Sequence, residues 1–335
     1  MALILKKPAY IIASAAVGGC EEAEGPLGRH FDACDTVDDT FKMKNWEAAE
    51  SEMQRLAFGM SLSKAGLREK DITSILAGDL LNQCVASSYG LLEYDIPYLG
   101  LYGACSTAAE GLLLASILSS SGFGNFAAIA SSHNASAERQ FRSPLEYGGQ
   151  RTPTSQWTVT AAGAFIVSSE RKTRSPKIIS AQIGRSIDSG ITDICNMGAA
   201  MAPAAADTLI RYFDDTKTKP LDYDLIATGD LGSEGTAILC DLMASEGYDI
   251  SEVHDDCGLM IYSSRAQDKH AGGSGCGCSA AVLSTHILRM LECGYYKNVL
   301  FMGTGALMNP MSLREGLSVA GIGHLVQIVS GGYNA

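Results

Sequence analysis

The stretch Gly103-Ala-Cys-Ser-Thr-Ala-Ala109 is followed by a long apolar run, and the second half of the chain repeats this arrangement at Gly275-Cys-Gly-Cys-Ser-Ala-Ala281. A second pair of matching segments lies upstream, where Ile75-Leu-Ala-Gly-Asp-Leu80 corresponds to Ile226-Ala-Thr-Gly-Asp-Leu231. Segments that recur in the same order indicate an internal duplication. The sequence therefore predicts two halves of similar structure, with a pseudo-twofold site where they meet.

Strand-like and helix-like patterns alternate along both halves, which favours an α/β fold with mostly parallel sheets. The predicted helices at Ser106–Ser120 and 278–292 are hydrophobic and are expected at the centre of the molecule. The segment Ser168–Pro176 separates the halves, which we place at 1–172 and 173–335. Stacking such halves around the central helices predicts a five-layered α-β-α-β-α sandwich.

Two segments outside the centre also carry clear patterns. Residues 47–66 resemble an amphipathic helix, because acidic residues lie at the start and Lys64 and Gly66 at the end. Residues 133–160 are polar, contain Gly148-Gly149 and two prolines, and are predicted to form a long loop. Loops longer than about 15 residues are usually functional, so we expect part of the site there.

The composition limits the classes of function. Hydrophobic residues make up 46% of the chain and charged residues 19%, as in an ordinary globular protein with a large core. A net charge of −12 argues against nucleic acid as a partner and against direct adhesion to anionic lipid. The basic run Arg171-Lys-Thr-Arg174 is interpreted as a solvated linker.

Cysteine spacing and the apolar runs indicate the compartment. The ten cysteines fit reduced thiols in a cytosol-like environment, and their spacing does not match metal ligands, so neither a metal nor a cofactor is expected. No apolar run approaches the roughly 20 residues of a membrane span. The apolar residues that follow Pro8 are predicted to form a first strand rather than a signal peptide.

Cys105 is the leading candidate for chemistry, because it stands where a short strand stops and an apolar helix starts. The positive end of a helix dipole lowers the pKa of a thiol, and free N–H groups there can hold an oxyanion or a carboxylate. The alternative is a small residue required for tight helix packing. In the second half Gly277 takes the place of Cys105.

The segments around Cys105 are similar to those of a known superfamily. Ala65-Gly-Leu67, Tyr98–Ser106 and the late strand Asn298–Ala306 resemble the thiolase superfamily, particularly ketoacyl-acyl-carrier-protein synthase III. The resemblance implies a thiolase-like fold built from two duplicated halves, a homodimer, and Cys105 as an acylated nucleophile.

Two positions depart from that pattern. The resemblance implies a His after a second-half strand and an Asn at the second-half helix start, where this chain has Asp230 and Gly277. Condensation needs a base for the thiol and donors for the thioester oxygen. An ionised Asp230 would repel an oxyanion, so these departures argue against condensing chemistry.

A second set of segments carries a more specific resemblance. These segments are Gly78–Gln83, Tyr102–Thr107, Ser131–Asn134, Arg139–Arg142, Tyr147–Pro153 and Gly272–Ser279. Together they resemble the stage V sporulation protein AD family of spore-forming Firmicutes. The resemblance implies a thiolase fold without thiolase activity and binding of dipicolinic acid (pyridine-2,6-dicarboxylate), alone or as its calcium chelate. It also implies a role in moving that ligand into the forespore and out on germination, with membrane proteins of the same operon, peripherally at the forespore or spore inner membrane.

A flat dianion requires cationic or N–H donors for its carboxylates and apolar walls for its ring. The candidate ligand-binding residues are Cys105, His133, Arg151, Arg142, Asp79, Asn82, Asp230, Ser274 and Gly277. Arg151 is preferred among the arginines because Gly148-Gly149 and Pro153 indicate an ordered turn around it.

Structural roles remain open for several of these candidates. Each arginine could be a surface solubiliser, and His133 could be a hydrogen-bonded structural residue. Asp79 and Asp230 occupy matching strand ends, where they could cap helices or coordinate a cation that accompanies the ligand.

Two other functions remain open. One is an acyl-transferring enzyme that uses Cys105, with His133 or His270 as a substitute base. The other is a purely structural scaffold for a membrane complex.

Overall fold

The computed structural model describes residues 1–141, 151–311 and 315–332. Its strands are β1 (Leu3–Gly18), β2 (Ala33–Cys34), β3 (Ile72–Gly78), β4 (Tyr98–Gly100), β5 (Asn125–Ser132), β6 (Trp157–Thr158), β7 (Ala161–Ser168), β8 (Lys177–Gln182), β9 (Leu225–Thr228), β10 (His254–Asp256), β11 (Gly273–Ser274), β12 (Asn298–Ala306) and β13 (Gly321–Val329). Its α-helices are α1 (Cys20–Glu24), α2 (Trp46–Ala65), α3 (Val85–Gly90), α4 (Thr107–Ser120), α5 (Asn134–Phe141), α6 (Met197–Thr216), α7 (Gly232–Ser245), α8 (Cys257–Ile261), α9 (Cys276–Val282) and α10 (Leu288–Glu292). A π-helical segment, Leu283–Ile287, joins α9 to α10, so one helical rod extends from Cys276 to Glu292.

The strand connectivity contains the predicted duplication. The sheet has the order β10-β9-β12-β13-β8-β1-β7-β5-β3-β4, with β2 beside β1. Numbered by chain order within each half, both half-sheets have the order 3-2-4-5-1. The parallel and antiparallel pairings also fall at the same places in both halves. The two halves therefore share one topology, and the predicted boundary lies between β7 and β8.

The sheets are mixed, so the expectation of mostly parallel sheets is wrong. In the first half β5 pairs antiparallel with β7, and β7 with β1. In the second half β12 pairs antiparallel with β13, and β13 with β8. The last strand of each half runs back beside its predecessor, and antiparallel neighbours of this kind need no crossover helix.

The layers are those of the predicted α-β-α-β-α sandwich. Helix α2 packs on β1 and β7, and α6 packs on β12 and β13 from the other side of the molecule. Helix α4 contacts β1 and β5 of the first half and β12 and β13 of the second, so it lies between the half-sheets. Helix α9 packs on β5 and β7 and on α4. The hydrophobic helices are therefore central, as predicted.

Strand β1 belongs to both half-sheets. Its 16 residues pair with β8 over Leu3–Tyr10 and with β7 over Tyr10–Gly18. One continuous strand therefore joins the two halves through backbone hydrogen bonds.

Local sequence signals explain the ends of α2. The Asn45 side chain accepts the Ala48 N–H at 2.8 Å, and Gly66 adopts a left-handed φ of 63° after the last turn. These are the usual caps for the two ends of a helix. The helix predicted at 47–66 is confirmed with a shift of one residue.

The prediction of one long loop at 133–160 is wrong in its described parts. Residues Asn134–Phe141 form α5, and Trp157–Thr158 form β6. Helix α5 is mainly polar, which hid it in the sequence, yet its Ala137 is buried.

In the described part of the chain, no helix has both the length and the apolar character required to cross a membrane.

Candidate functional site

A cavity of about 230 Å³ lies beside the starts of the two central helices, α4 and α9. Its walls come from the turn before α3, the Cys105 turn, α5, the β6–β11 pair and the segments 194–197 and 306–309. The lining residues are Leu80, Tyr102, Ala104, Cys105, Ala137, Glu138, Phe141, Thr158, Ile194, Cys195, Met197, Ser274, Ala306, Leu307, Met308 and Asn309. The walls are mainly apolar, which suits a ring or an acyl chain better than a sugar or a nucleotide.

Cys105 lies on a 3₁₀ turn, Ala104–Ser106, that leads directly into α4. Ala104 has a φ of 51°, a left-handed conformation that costs an L-residue roughly 1–2 kcal/mol. Such strain persists only where the surroundings impose it. Cys105 on this turn lines the cavity.

The thiol of Cys105 is not activated. Burial raises its pKa well above the usual value, and the negative charge of neighbouring Asp230 raises the pKa further. This direction is opposite to the lowered pKa predicted from the helix start, because desolvation and a nearby carboxylate outweigh the helix dipole. Cys105 is therefore a protonated thiol at neutral pH.

Asp230 lies beneath the cavity, between the Cys105 turn and the start of α9. Its carboxylate oxygens accept the Gly275 N–H at 2.8 Å and the Thr304 hydroxyl at 2.8 Å, and its side chain contacts the Cys105 thiol. Gln156 donates to its backbone carbonyl at 2.7 Å. Burial raises the pKa of Asp230 to about 6. The carboxyl group thus fills the junction of the two halves.

Gly277 is held by close packing. Its N–H donates to the Ser132 hydroxyl at 3.2 Å. A Cβ at this position would lie 2.3 Å from the carbonyl oxygen of Ala161 and 2.7 Å from the backbone nitrogen of Ser132. The helix start therefore has no space for the asparagine of the condensing enzymes, and the Gly275 and Gly277 N–H groups are bound by the protein itself.

Ser274 is the second predicted residue that lines the cavity. It lies on β11, which pairs with β6 so that Ser274 stands opposite Thr158, another lining residue. This two-stranded pair comes from both halves and forms one wall of the cavity.

Asp79, the counterpart of Asp230, has a structural role in its own half. Its carboxylate accepts the Leu81 N–H at 2.8 Å, the Ser87 N–H at 2.8 Å and the Ser87 hydroxyl at 2.6 Å. The helix-capping interpretation therefore describes Asp79. Burial raises the pKa of Asp79, and burial raises the pKa of nearby Glu50 to about 8, with the charge of Asp79 raising it further.

His133 is hydrogen-bonded on both ring nitrogens. Its Nε2 lies 2.9 Å from the Asp39 carbonyl, and its Nδ1 accepts the Ala135 N–H at 3.2 Å. Burial lowers the pKa of His133. His270, the other substitute base considered, bonds to the Thr152 carbonyl through Nδ1 at 2.6 Å. Neither histidine lines the Cys105 cavity.

The remaining predicted residues lie at different distances from the cavity. Asn82 accepts the hydroxyl of Tyr102, a lining residue, at 3.2 Å and therefore stands at the rim. Arg151 donates to the Asp268 carbonyl at 2.8 Å and stacks 5.1 Å from the Trp157 ring, away from the lining. Arg142 lies outside the described residues.

Sequence reasoning missed most of the apolar wall. Phe141 and Ala137 are four residues apart on one face of α5, a spacing that could have indicated a helix side facing the site. Segments 194–197 and 306–309 carry no comparable signal, because they reach the cavity only through long-range folding.

No group of three or more His, Cys, Asp or Glu side chains in residues 1–141, 151–311 and 315–332 is placed to hold a metal ion.

Comparison with known proteins decides the family. The sequence model of stage V sporulation protein AD matches residues 1–329. Over 323 residues the chain is 43% identical to stage V sporulation protein AD of Bacillus subtilis (strain 168), covering 96% of this chain and 94% of the relative. The chain belongs to the stage V sporulation protein AD family. This membership confirms the more specific of the two resemblances drawn from the sequence.

Comparison with solved structures shows that this chain has a thiolase-like fold. A variant of OleA from Xanthomonas campestris matches with a TM-score of 0.62 at 13% identity, covering 98% of this chain and 99% of that one. The 3-oxoacyl-acyl-carrier-protein synthase III of Aquifex aeolicus VF5 matches with a TM-score of 0.56 at 14% identity, covering 94% and 99%. At such identities the likeness concerns the fold alone, and it confirms the predicted thiolase-like architecture.

Proposed function

We propose that this chain is a non-catalytic thiolase-fold protein of bacterial sporulation that binds dipicolinic acid. In this proposal it supports uptake of dipicolinic acid into the forespore and release on germination. Membership of the stage V sporulation protein AD family supports the sporulation role.

The observation that carries the non-catalytic part is the contact between Asp230 and Cys105. A thioester at Cys105 would need a deprotonated thiol and free donors for an oxyanion. Instead, burial and Asp230 raise the pKa of Cys105, and the Asp230 carboxylate already accepts the Gly275 N–H. The Cys105 thiol and the Asp230 carboxylate are therefore poorly suited to acyl transfer.

The cavity supports a small aromatic ligand. Its volume of about 230 Å³ and its apolar walls, including Phe141 and Leu80, offer space for one flat ring. The polar residues Thr158, Ser274 and Asn309 are also in the lining. Arg142, which follows Phe141 in the sequence, is our candidate for the cation that pairs with a ligand carboxylate.

Membrane proteins of the same operon are the proposed partners, and a peripheral position at the forespore or spore inner membrane follows from them. A homodimer is also proposed. The edge strand β4 supports it, because Leu99 is 52% exposed and Tyr98 37% exposed on a strand that ends the sheet in the described part of the chain.

Isothermal titration calorimetry with pyridine-2,6-dicarboxylate and its 2,3 isomer tests the ligand. We expect the wild-type protein to bind the 2,6 isomer at least about tenfold more tightly, because only that isomer places both carboxylates beside the ring nitrogen. Arg142→Ala should weaken binding by about tenfold or more, the loss expected for a charged hydrogen bond. Equal binding of both isomers, or no binding by folded protein, would refute the ligand.

Two matched controls accompany this measurement. Arg139→Ala removes a neighbouring arginine that the structure pairs with Glu47. Arg151→Ala removes the one paired with Asp268. Both should bind within about twofold of wild type, and a loss as large as that of Arg142→Ala would disprove the assignment of Arg142. Titration with and without calcium separates the free ligand from its chelate.

A further inference from the structure

A second concavity, which we call the basic groove, lies away from the Cys105 cavity and has a volume of about 900 Å³. It runs between the end of α2, the end of α10, the middle of β1 and the connection from β7 to β8. Its lining residues are Ile12, Ala13, Ser14, His30, Asp32, Lys64, Arg171, Lys172, Thr173, Arg174, Ser175, Ser284, Leu288, Arg289, Glu292 and Cys293. The groove shares none of these residues with the Cys105 cavity.

The groove is positively charged in an acidic protein. Five lysines and arginines face two carboxylates in its lining, which gives a local net charge of +3 with histidine neutral, whereas the whole chain carries −12. His30 lies within this field: partial burial lowers its pKa, and the positive charges of Arg289 and Arg29 lower it further. The sequence showed only the run Arg171–Arg174, and the fold adds Lys64 and Arg289.

Several of these cations are hydrogen-bonded to backbone carbonyls around the groove. Lys64 donates to the Ser14 carbonyl at 2.8 Å and pairs with Asp32 at 2.6 Å. Lys172 donates to the Ala65 carbonyl at the end of α2, and Arg171 donates to the carbonyl of Gly331. These hydrogen bonds hold the cations at the groove, and Arg289 is exposed beside them.

The floor of the groove has two kinds of surface. Ser284 donates to the Ser14 hydroxyl at 3.0 Å, while Ile12, Ala13 and Leu288 supply apolar contacts. Clusters of arginines are a recurring means of recognising acidic peptide motifs, and the concave shape of the groove suits an extended chain better than a flat bilayer. An extended peptide with acidic side chains would meet both the charged walls and the apolar floor.

We propose that the basic groove is a docking site for an extended acidic segment of a partner protein. The segment lies between the ends of α2 and α10, with its carboxylates against Arg171, Arg174 and Arg289. This inference does not depend on the ligand of the Cys105 cavity. It assigns a role to the Arg171–Arg174 run, which the sequence presented as a linker.

Fluorescence anisotropy of a fluorescein-labelled octaglutamate peptide with the full-length protein tests the proposal. We expect saturable binding that weakens by about tenfold or more when NaCl rises from about 50 mM to about 500 mM, because salt screens exposed charges. The Arg171→Glu/Arg174→Glu variant should weaken binding by about tenfold, and Arg289→Glu by about threefold. An octaglutamine peptide should not bind.

A matched control variant, Lys44→Glu/Lys70→Glu, reverses two exposed lysines outside the groove and makes the same change in net charge. It should bind within about twofold of wild type. Equal weakening by this control would show non-specific attraction and overturn the proposal, as would the absence of peptide binding. Thermal melting confirms that each variant is folded.

Two further experiments distinguish a protein segment from other possible occupants of the basic groove. Stronger binding to vesicles containing about 30% phosphatidylglycerol than to the peptide, lost in Arg289→Glu, would replace the protein segment by a membrane surface. Displacement of the peptide by millimolar pyridine-2,6-dicarboxylate would make the groove a small-anion site instead. The expected result is no displacement, even for protein that binds this ligand in the Cys105 cavity.

Discussion

Asp79 and Asp230 lie at matching strand ends of the two halves, yet their side chains have different hydrogen-bond partners. Asp79 accepts N–H and hydroxyl groups from the turn and helix that follow it, so its contacts stay within the first half. Asp230 accepts the N–H of Gly275 and contacts Cys105, so it bridges the two halves. The same position is thus a local cap in one half and the central group of the junction in the other.

The counterparts Cys105 and Gly277 differ in the same way. Cys105 has its side chain on a strained turn at the cavity wall, whereas Gly277 is in contact with the backbone of β5 and β7. The first half therefore has a side chain at the site, whereas the second half packs tightly around the backbone of Gly277. The comparison explains why only one of the two matching helix starts presents a thiol to the cavity.

The largest effect is expected from Gly277→Asn, which would return the side chain implied by the condensing-enzyme resemblance. Because even a Cβ would lie 2.3 Å from the Ala161 carbonyl, we expect a loss of about 4 kcal/mol in the free energy of unfolding, or insoluble protein. Urea denaturation measures this loss. Gly247→Asn is the control, since a Cβ there meets open space, and it should cost about 1 kcal/mol. Similar losses for the two variants would contradict the close packing at Gly277.

The next effect concerns the pH dependence of Asp230. Its pKa in the folded protein is raised from 3.8 to about 6, so the folded state favours the protonated acid and wild-type stability falls as pH rises through this range. Asp230→Asn removes that titration. The stability of the variant relative to wild type should therefore improve by roughly 2 kcal/mol between pH 4 and pH 7.

Urea denaturation of both proteins at several pH values measures this difference. Glu22, whose pKa burial raises to about 7, titrates in both proteins and therefore largely cancels. Burial and the charge of Asp230 both raise the pKa of Asp256, so part of the measured difference comes from Asp256. Asp79→Asn offers a matched comparison in the other half. A pH-independent difference between Asp230→Asn and wild type would show that Asp230 does not titrate as its burial requires.

The smallest effect is one of reactivity. Cys105 is 6% exposed with a raised pKa, whereas Cys293 is exposed, so iodoacetamide at neutral pH should alkylate Cys293 at least about tenfold faster. Incubation with acyl-CoA thioesters followed by intact mass should give no adduct on Cys105. Rapid acylation that disappears in Cys105→Ala would favour the acyl-transfer alternative over the proposed function.

Local and repeated patterns made much of the fold predictable. The duplication, the central helices and the capped helix at Trp46–Ala65 all follow from signals within short windows of sequence. Helix α5 was missed because its residues are mostly polar. The antiparallel pairings were missed because the direction of a strand depends on distant partners.

Less of the site could be predicted from the sequence, because its contacts also depend on residues that are distant in the chain. Of the residues proposed from the sequence, Cys105 and Ser274 line the cavity, and both lie in the segments that match between the two halves. The contact between Asp230 and Cys105 joins residues far apart in the chain, and the helix-dipole argument omitted it. His133 and Arg151 found protein partners that no local pattern specifies.

Strand β1 has a mechanical consequence. Its 16 residues are hydrogen-bonded to β8 at one end and to β7 at the other, so a single rigid strand spans the junction of the two halves. Hinge opening of the junction would have to break this ladder. Because β1 is shared, we expect the two halves to unfold as one cooperative unit, which calorimetry would record as a single unfolding transition.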